Sequence, residues 1–84
     1  MLEKRVIAIT ALALKTHPSK ISHTSRFVRD LGADSLDVVE ILLDIEQEWN
    51  ITFTDEAVNN IQTVGDVIDY LRQAVRKTEE EPQP

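Results

Sequence analysis

Residues 30–49 read DLGADSLDVVEILLDIEQEW, and their pattern is the main indication of the fold. The apolar residues of this stretch recur at every third or fourth position, which is the period of an amphipathic helix. Asp34 can cap the free N–H groups of the first turn, and Asp37, three residues later, completes an acidic version of the capping box. The stretch therefore predicts a helix from about Ser35 to Trp49.

This predicted helix carries three groups of side chains when its positions are projected around the helix axis. The core-facing apolar stripe consists of Val38, Ile41, Leu42, Ile45 and Trp49. The acidic group consists of Asp37, Glu40, Asp44 and Glu48. The second apolar group, here called the outer strip, consists of Leu36, Val39 and Leu43. A small bundle cannot easily bury both apolar groups. The outer strip is therefore expected to be an exposed docking face bordered by carboxylates, and the alternative is that it widens the core contact.

Two other long segments have helical periodicity. The first runs from about Leu2 to Lys15, and the last is capped by Thr63 with Asp66 three residues later. A short, weak helix is expected near 56–61. The apolar stripe of the last helix consists of Val64, Val67, Ile68, Leu71 and Val75. Because no segment alternates as a strand would, the predicted fold class is all-α. We expect a small four-helix bundle of three main helices and one short helix, with a long first loop.

The remaining segments are predicted to lack regular periodicity. Residues 17–33 form a long connection that Phe27, Val28 and Leu31 are expected to pin to the core. Residues 78–84, TEEEPQP, are charged and rich in proline, and are expected to be disordered. The chain therefore divides into one domain at 1–77 and a tail at 78–84.

Composition excludes several functional classes. The chain has 84 residues and a net charge of −6, with eleven acids and no Lys or Arg between residues 30 and 69. This balance argues against nucleic acid and anionic membranes, and favours basic partners. No cysteine is present, so disulfides and thiolate chemistry are excluded, and no apolar run is long enough to span a membrane. We expect a cytoplasmic protein.

Ser35, at the start of the predicted second helix, is the candidate functional residue. A serine at a helix start is usually a cap, and a catalytic serine needs a base within hydrogen-bond reach. His17 and His23 both lie in the long connection, and their spacing does not suit a metal site on a helix. We therefore predict no catalytic residue and no metal site. Ser35 is then either an ordinary cap or the substrate of another enzyme, because a helix N-terminus tolerates a phosphodiester.

Residues 30–37, DLGADSLD, resemble the 4′-phosphopantetheine attachment motif of acyl carrier proteins. The similarity covers about residues 24–73 and includes Ile61-Gln62-Thr63-Val64-Gly65-Asp66-Val67. It implies a four-helix bundle with a short third helix, in which residues 1–77 are an acyl carrier domain. Ser35 would carry the prosthetic group through a phosphodiester, with Asp34 and Leu36 beside it.

The resemblance also implies partners. A phosphopantetheinyl transferase would modify Ser35 with the arm of coenzyme A, and enzymes of fatty acid, polyketide or specialised lipid biosynthesis would load and receive acyl thioesters. Their basic surfaces would dock a monomeric carrier on the second helix, at Asp37, Val39, Glu40, Leu43, Asp44, Glu46 and Glu48. Candidate residues for sheltering the acyl chain are Ile41, Leu42, Ile45, Val58, Ile61 and Ile68. The alternative is an acidic helical interaction module that is never modified.

Some positions depart from the family's usual pattern. Arg29 stands where an acid is common, Asp44 where a small apolar residue is frequent, and Thr54 where proline is common. Asn59 and Asn60 replace charged residues. These departures favour a specialised carrier. Asp34, where peptidyl carriers commonly have histidine, favours acyl or polyketide cargo.

Overall fold

The computed structural model describes residues 2–80, which form four α-helices. They are α1 (Leu2–Leu14), α2 (Ser35–Trp49), α3 (Asp55–Asn60) and α4 (Val64–Glu80), and a single 3₁₀ turn at Pro18–Lys20 precedes α2. Within these residues there is no β-strand, so the predicted all-α four-helix bundle with a short third helix is confirmed. None of the helices in this part of the chain is long and apolar enough to cross a membrane.

The core lies where α1 packs on α2 and α4. Val6 of α1, Ile41 and Ile45 of α2, and Ile68 and Leu71 of α4 are completely buried. The remaining residues of the predicted core stripe on α2 agree with this arrangement, since one is buried and two are partly buried: Leu42, Val38 and Trp49. The helical projection therefore assigned the inner face of α2 correctly.

Both predicted capping boxes are present. Asp34 Oδ1 accepts a hydrogen bond of 2.9 Å from the N–H of Asp37, whose Oδ2 accepts one of 3.1 Å from the N–H of Asp34. At α4, Thr63 Oγ1 accepts from the N–H of Asp66 at 3.0 Å, and Asp66 Oδ2 accepts from the N–H of Thr63 at 3.0 Å. Reciprocal caps of this kind satisfy N–H groups that have no partner inside the helix, and so they fix where α2 and α4 begin.

The long connection is tied to the turn between α3 and α4. The N–H of Phe27 donates to the carbonyl of Gln62 at 3.0 Å, and the N–H of Val64 donates to the carbonyl of Ser25 at 3.0 Å. Arg26 and Thr63, between these partners, form an isolated antiparallel bridge. These bonds hold the connection against the bundle along a short extended segment that the sequence did not indicate.

Gly65 closes the same contact. Its N–H donates to the carbonyl of His23 at 2.8 Å, and a Cβ at residue 65 would lie 2.5 Å from Cε1 of His23. Only glycine lets the imidazole ring lie directly on the first turn of α4. The side chain of His23 is therefore a cover for the turn and is not aimed at a catalytic site.

Two expectations for the loops need correction. Phe27 is 2% exposed and Leu31 is partly buried, as expected, but Val28 is 64% exposed and does not pin the connection. Phe27 takes the inward position after the bridge, and its neighbour Val28 consequently lies outward. At the other end of the chain, α4 continues through Glu80, three residues into the expected tail, because Thr78-Glu79-Glu80 contains no helix breaker. Residues 81–84 lie outside the described residues.

The carboxyl of Asp66 is an acid-sensitive part of the fold. Burial by itself raises the pKa of Asp66, but hydrogen bonds from the N–H groups of Gln62 and Thr63 and from the Thr63 hydroxyl, with the charge of His23, outweigh it. The pKa therefore lies below its ordinary value of 3.8. Because the folded protein binds this proton less readily than the unfolded chain, Asp66 contributes its full stabilisation above that value. The contribution is lost as the pH falls through the lowered pKa of the folded state.

Asp66→Asn is expected to lower the free energy of unfolding by about 1 kcal/mol at pH 7, through loss of the charged cap. In strong acid the difference from the wild type should vanish, because the wild-type carboxyl is then protonated. Urea unfolding between pH 2 and pH 7 measures both effects. Asp69→Asn, at an exposed position of the same helix, is the matched control. A gap between Asp66→Asn and the wild type that stays constant at every pH would contradict this assignment.

Candidate functional site

Ser35 is the first residue of α2 and is exposed to solvent. The residue that caps the helix is Asp34, whose carboxylate accepts a hydrogen bond from the N–H of Asp37. Within the described residues, the hydroxyl of Ser35 has no hydrogen-bond partner. The usual role of a serine at this place, as the cap, is therefore wrong for Ser35. The structure presents a free hydroxyl at the positively polarised end of a helix of 15 residues.

The segment that leads to Ser35 is held by the long connection. The N–H of Gly32 donates to the carbonyl of Val28 at 3.2 Å, and the N–H of Ala33 donates to the carbonyl of Phe27 at 2.9 Å. Gly32 has a φ of 70°, a left-handed conformation that glycine adopts without strain. These two hydrogen bonds therefore fix the residues just before Ser35 to the long connection.

No group in the described chain is placed to activate this hydroxyl. His17 Nδ1 accepts a hydrogen bond from the N–H of Ser19 at 3.1 Å, and the ring of His23 covers Gly65. Among the residues whose side chains the structure describes, neither histidine is hydrogen-bonded to Ser35, and no three His, Asp or Glu side chains form a group that could hold a metal ion. The site therefore offers a hydroxyl for chemistry that a second protein has to perform.

The outer strip lies on the solvent side of α2. Leu36 is 69% exposed, Val39 45% and Leu43 49%. The expectation that these three residues are not core is confirmed, and the alternative of a widened core contact is wrong. An apolar strip that begins one residue after Ser35 has the composition of a contact surface.

The five carboxylates among the seven predicted docking positions divide into two groups. Three of the carboxylates have partners inside the protein. Asp37 belongs to the capping box, Glu46 Oε2 accepts the N–H of Phe53 at 2.7 Å, and Glu48 receives two hydrogen bonds from Arg5, at 2.9 and 3.1 Å. The roles of Glu46 and Glu48 require contacts outside α2, and the sequence pattern of the helix gave no sign of them. In the described chain, Glu40 and Asp44 have no such partner, and on the helix surface they lie beside the outer strip.

The pair of Arg5 and Glu48 joins α1 to α2. The hydrogen bonds from the guanidinium of Arg5, with its positive charge, lower the pKa of Glu48, and the carboxylate raises the pKa of Arg5. Both side chains are substantially exposed, so the pair adds orientation more than stability. Glu48 is therefore less available to a partner than Glu40 or Asp44.

A groove of about 280 Å³ opens beside the start of α2. Its walls come from the long connection, from α2 and from the residues that follow α3: Arg26, Phe27, Val28, Arg29, Val38, Ile61 and Gln62. Of the six residues expected to shelter an acyl chain, only Ile61 lines it. Ile41, Ile45 and Ile68 are fully buried core residues, because they lie where α1 packs on α2 and α4. Leu42 and Val58 line a smaller groove of about 100 Å³ behind the outer strip.

Comparison with known proteins identifies the family. Residues 4–71 match the sequence model of a family described as the phosphopantetheine attachment site. The chain belongs to the acyl carrier protein family. Relatives are similar over most of its length: an acyl carrier protein of Porphyromonas gingivalis is 39% identical over 74 residues, which are 88% of this chain and 95% of the relative. One of Wolinella succinogenes is 48% identical over 58 residues, which are 69% of this chain and 76% of the relative.

The fold of this acyl carrier protein also matches a solved structure. A protein of Mycobacterium tuberculosis assigned as an acyl carrier protein superposes with a TM-score of 0.82 at 30% identity, over 87% of this chain and 97% of the other. Members of the family are carriers of acyl groups and are not themselves enzymes.

Proposed function

We propose that this acyl carrier protein carries acyl groups on a 4′-phosphopantetheine arm attached to Ser35. It delivers them to cytoplasmic partner enzymes of fatty acid, polyketide or specialised lipid biosynthesis. The observation that supports this most directly is the free hydroxyl of Ser35, left exposed because Asp34 caps the helix. A structural serine in this position would have its hydroxyl on a backbone N–H. The test is the gain in mass of the wild type, and its absence in Ser35→Ala, on treatment with a phosphopantetheinyl transferase.

The residues present fit this prosthetic group. When attached, the arm supplies a terminal thiol for thioester chemistry, which this cysteine-free chain lacks. Ser35 Oγ forms the bond to the β-phosphorus of coenzyme A, the phosphoanhydride bond breaks, and adenosine 3′,5′-bisphosphate leaves. The serine proton passes to a base of the transferase, since the described residues of this chain place none beside it. The N-terminus of α2 then faces the phosphodiester, which suits its negative charge.

Partners are proposed to dock on the exposed side of α2. The outer strip supplies apolar contact area, and Glu40 and Asp44 supply negative charge without internal partners. Exposed charge pairs are individually weak, about 0.2–1 kcal/mol each, but several together raise the rate of encounter with a basic surface. Leu36 and Asp37 extend this surface to the modification site, whereas Glu46 and Glu48 mainly position the helix.

The rate of modification is expected to depend on salt. Raising the ionic strength shortens the Debye length from about 8 Å at physiological salt to about 3 Å at 1 M, so kcat/KM of the transferase should fall, mostly through KM. Glu40→Lys or Asp44→Lys should lower kcat/KM severalfold at low salt and flatten the remaining salt dependence. Steady-state kinetics at several salt concentrations measure both.

Asp69→Lys is the matched control for this prediction. It makes the same change of net charge, but at an exposed position of α4. If the acids of α2 act locally, Asp69→Lys retains most of the wild-type rate. A control that slows the transferase as much as Glu40→Lys would show that net charge alone matters, and would remove the docking role from α2.

A further inference from the structure

Two arginines lie on the groove beside Ser35 without an acidic partner. Arg26 and Arg29 both line the groove, both are exposed, and neither forms an ion pair within the described residues. The carboxylate nearest to them in sequence, Asp30, accepts the backbone N–H of Arg26 at 2.8 Å and not its guanidinium. Two positive charges therefore lie at one groove without an ion-pair partner in the described chain.

These charges are unusual for this region of the chain. Arg26 and Arg29 are the only Lys or Arg residues from position 21 to position 71, a stretch rich in carboxylates. The positive charges of Arg26 and Arg29 do not attract a basic partner that docks on α2. A guanidinium binds a carboxylate through two parallel N–H···O hydrogen bonds, and it holds its charge at every physiological pH. The two guanidinium groups therefore favour an anionic ligand in the groove.

The rest of the groove selects a short aliphatic group. Phe27, Val28, Val38 and Ile61 provide its apolar walls, and Gln62 adds one amide. Val28 is largely exposed although it is apolar, which leaves an uncovered hydrocarbon surface at the groove. The volume of about 280 Å³ lies just below the range of about 300–1,000 Å³ that is typical of small-molecule sites. A short chain with an acid at its far end combines both kinds of contact.

The groove is within reach of a group attached at Ser35. Val38 follows Ser35 by nearly one helical turn, a distance of about 4.5 Å along the axis. The opposite wall is fixed to the start of α2, since the carbonyls of Phe27 and Val28 accept the N–H groups of Ala33 and Gly32. A cargo on a flexible arm at Ser35 can therefore fold back into this groove while the arm stays attached.

We propose that the groove of Arg26 and Arg29 receives a short acyl cargo that ends in a carboxylate, such as the half-thioester of a dicarboxylic acid. The apolar walls contact the methylene groups, and the two guanidiniums bind the terminal carboxylate. This inference rests on the proposed function, because the cargo is delivered to the groove by the arm at Ser35. It assigns Arg29, the departure from the family's usual acid, a role in cargo choice.

The test compares two cargoes of equal carbon number. A permissive transferase loads the protein from hexanoyl or from adipoyl coenzyme A, and the cleavage rate of each thioester by excess cysteamine is measured. The rates are divided by those of the free acyl-pantetheine thioesters to remove intrinsic reactivity. We expect cleavage of the adipoyl form to be about two- to fivefold slower than that of the hexanoyl form, the range for exposed charge pairs. Arg26→Gln and Arg29→Gln should each reduce this protection, and 1 M salt should weaken it.

Lys20→Gln is the control, since it removes an exposed positive charge in the 3₁₀ turn away from the groove. It should leave the protection unchanged. Circular dichroism and thermal unfolding verify that each variant is folded, and amide shifts of Val38 and Ile61 on adipoyl loading locate the cargo. Equal corrected rates for the two cargoes would overturn the groove proposal and leave the proposed function standing. Protection that persists when Arg26→Gln and Arg29→Gln are combined in one variant would do the same. Failure of every coenzyme A substrate to load Ser35 would instead overturn the proposed function.

Discussion

Ser35→Ala is expected to gain no mass when it is incubated with coenzyme A and a phosphopantetheinyl transferase, whereas the wild type gains one phosphopantetheine group. The effect is expected to be all or none, because the substitution removes the hydroxyl oxygen to which the arm is proposed to be joined. The fold should persist, since Asp34 and Asp37 form the capping box without Ser35, and alanine is favourable in a first helical turn. Intact-mass spectrometry measures the gain, and circular dichroism verifies the helical content.

Ser19→Ala tests whether the transferase is selective. Ser19 is an exposed serine in the 3₁₀ turn, and its removal should leave the gain in mass unchanged. Modification of the Ser35→Ala protein would mean that another residue carries the arm. A wild type that never gains mass would favour the alternative, an acidic helical module that binds basic partners without modification.

Ile45→Ala is expected to lower the free energy of unfolding by about 2–5 kcal/mol, because it leaves a cavity in a close-packed core. Ile45 is completely buried between the helices, and a domain of this size has a total stability of only about 5–15 kcal/mol. Ile45→Val, which removes one methylene, should cost about 0.5–1.5 kcal/mol and remains measurable if the alanine variant fails to fold. Urea unfolding gives both values.

Leu36→Ala is the contrasting variant on the same helix. Its side chain is 69% exposed, so its loss should change the free energy of unfolding by no more than about 0.5 kcal/mol. It should nevertheless slow modification at Ser35, because the outer strip is proposed to contact the transferase. A loss of stability as large as that of Ile45→Ala would show that Leu36 supports the core, and would contradict the separation of the two faces of α2.

Features that depend on neighbouring residues were predictable from the sequence. The starts of α2 and α4 follow from Asp34 with Asp37 and from Thr63 with Asp66, since each capping box is complete within three residues. The inner and outer faces of α2 follow from the helical period alone. The position of Ser35 as an exposed first residue follows from the same local pattern.

Features that depend on distant residues were not predictable. Glu48 is bound by Arg5, 43 positions away, so a projection of α2 alone cannot separate it from Glu40. The outward position of Val28 depends on the bridge between Arg26 and Thr63. From the sequence alone, Phe27 and Val28 were equally suited to the core. The groove was misplaced for the same reason, because its walls come from three separate parts of the chain.

The site has two parts, the groove and the exposed Ser35, and they differ in the contacts that have to form first. The groove depends on the hydrogen bonds between the long connection and the start of α4. They join residues about 40 positions apart, so they form only after a large loop has closed, and such contacts raise the relative contact order of a small helical protein. The capping box beside Ser35 needs no such closure. A subglobal opening that separates Phe27 from Gln62 would therefore dissolve the groove while the first turn of α2 survives. Amide hydrogen exchange should show lower protection at Phe27 and Gly65 than in the middle of α2. The exposure of Ser35 thus depends on one helix. Enclosure of a cargo in the groove depends cooperatively on the whole fold.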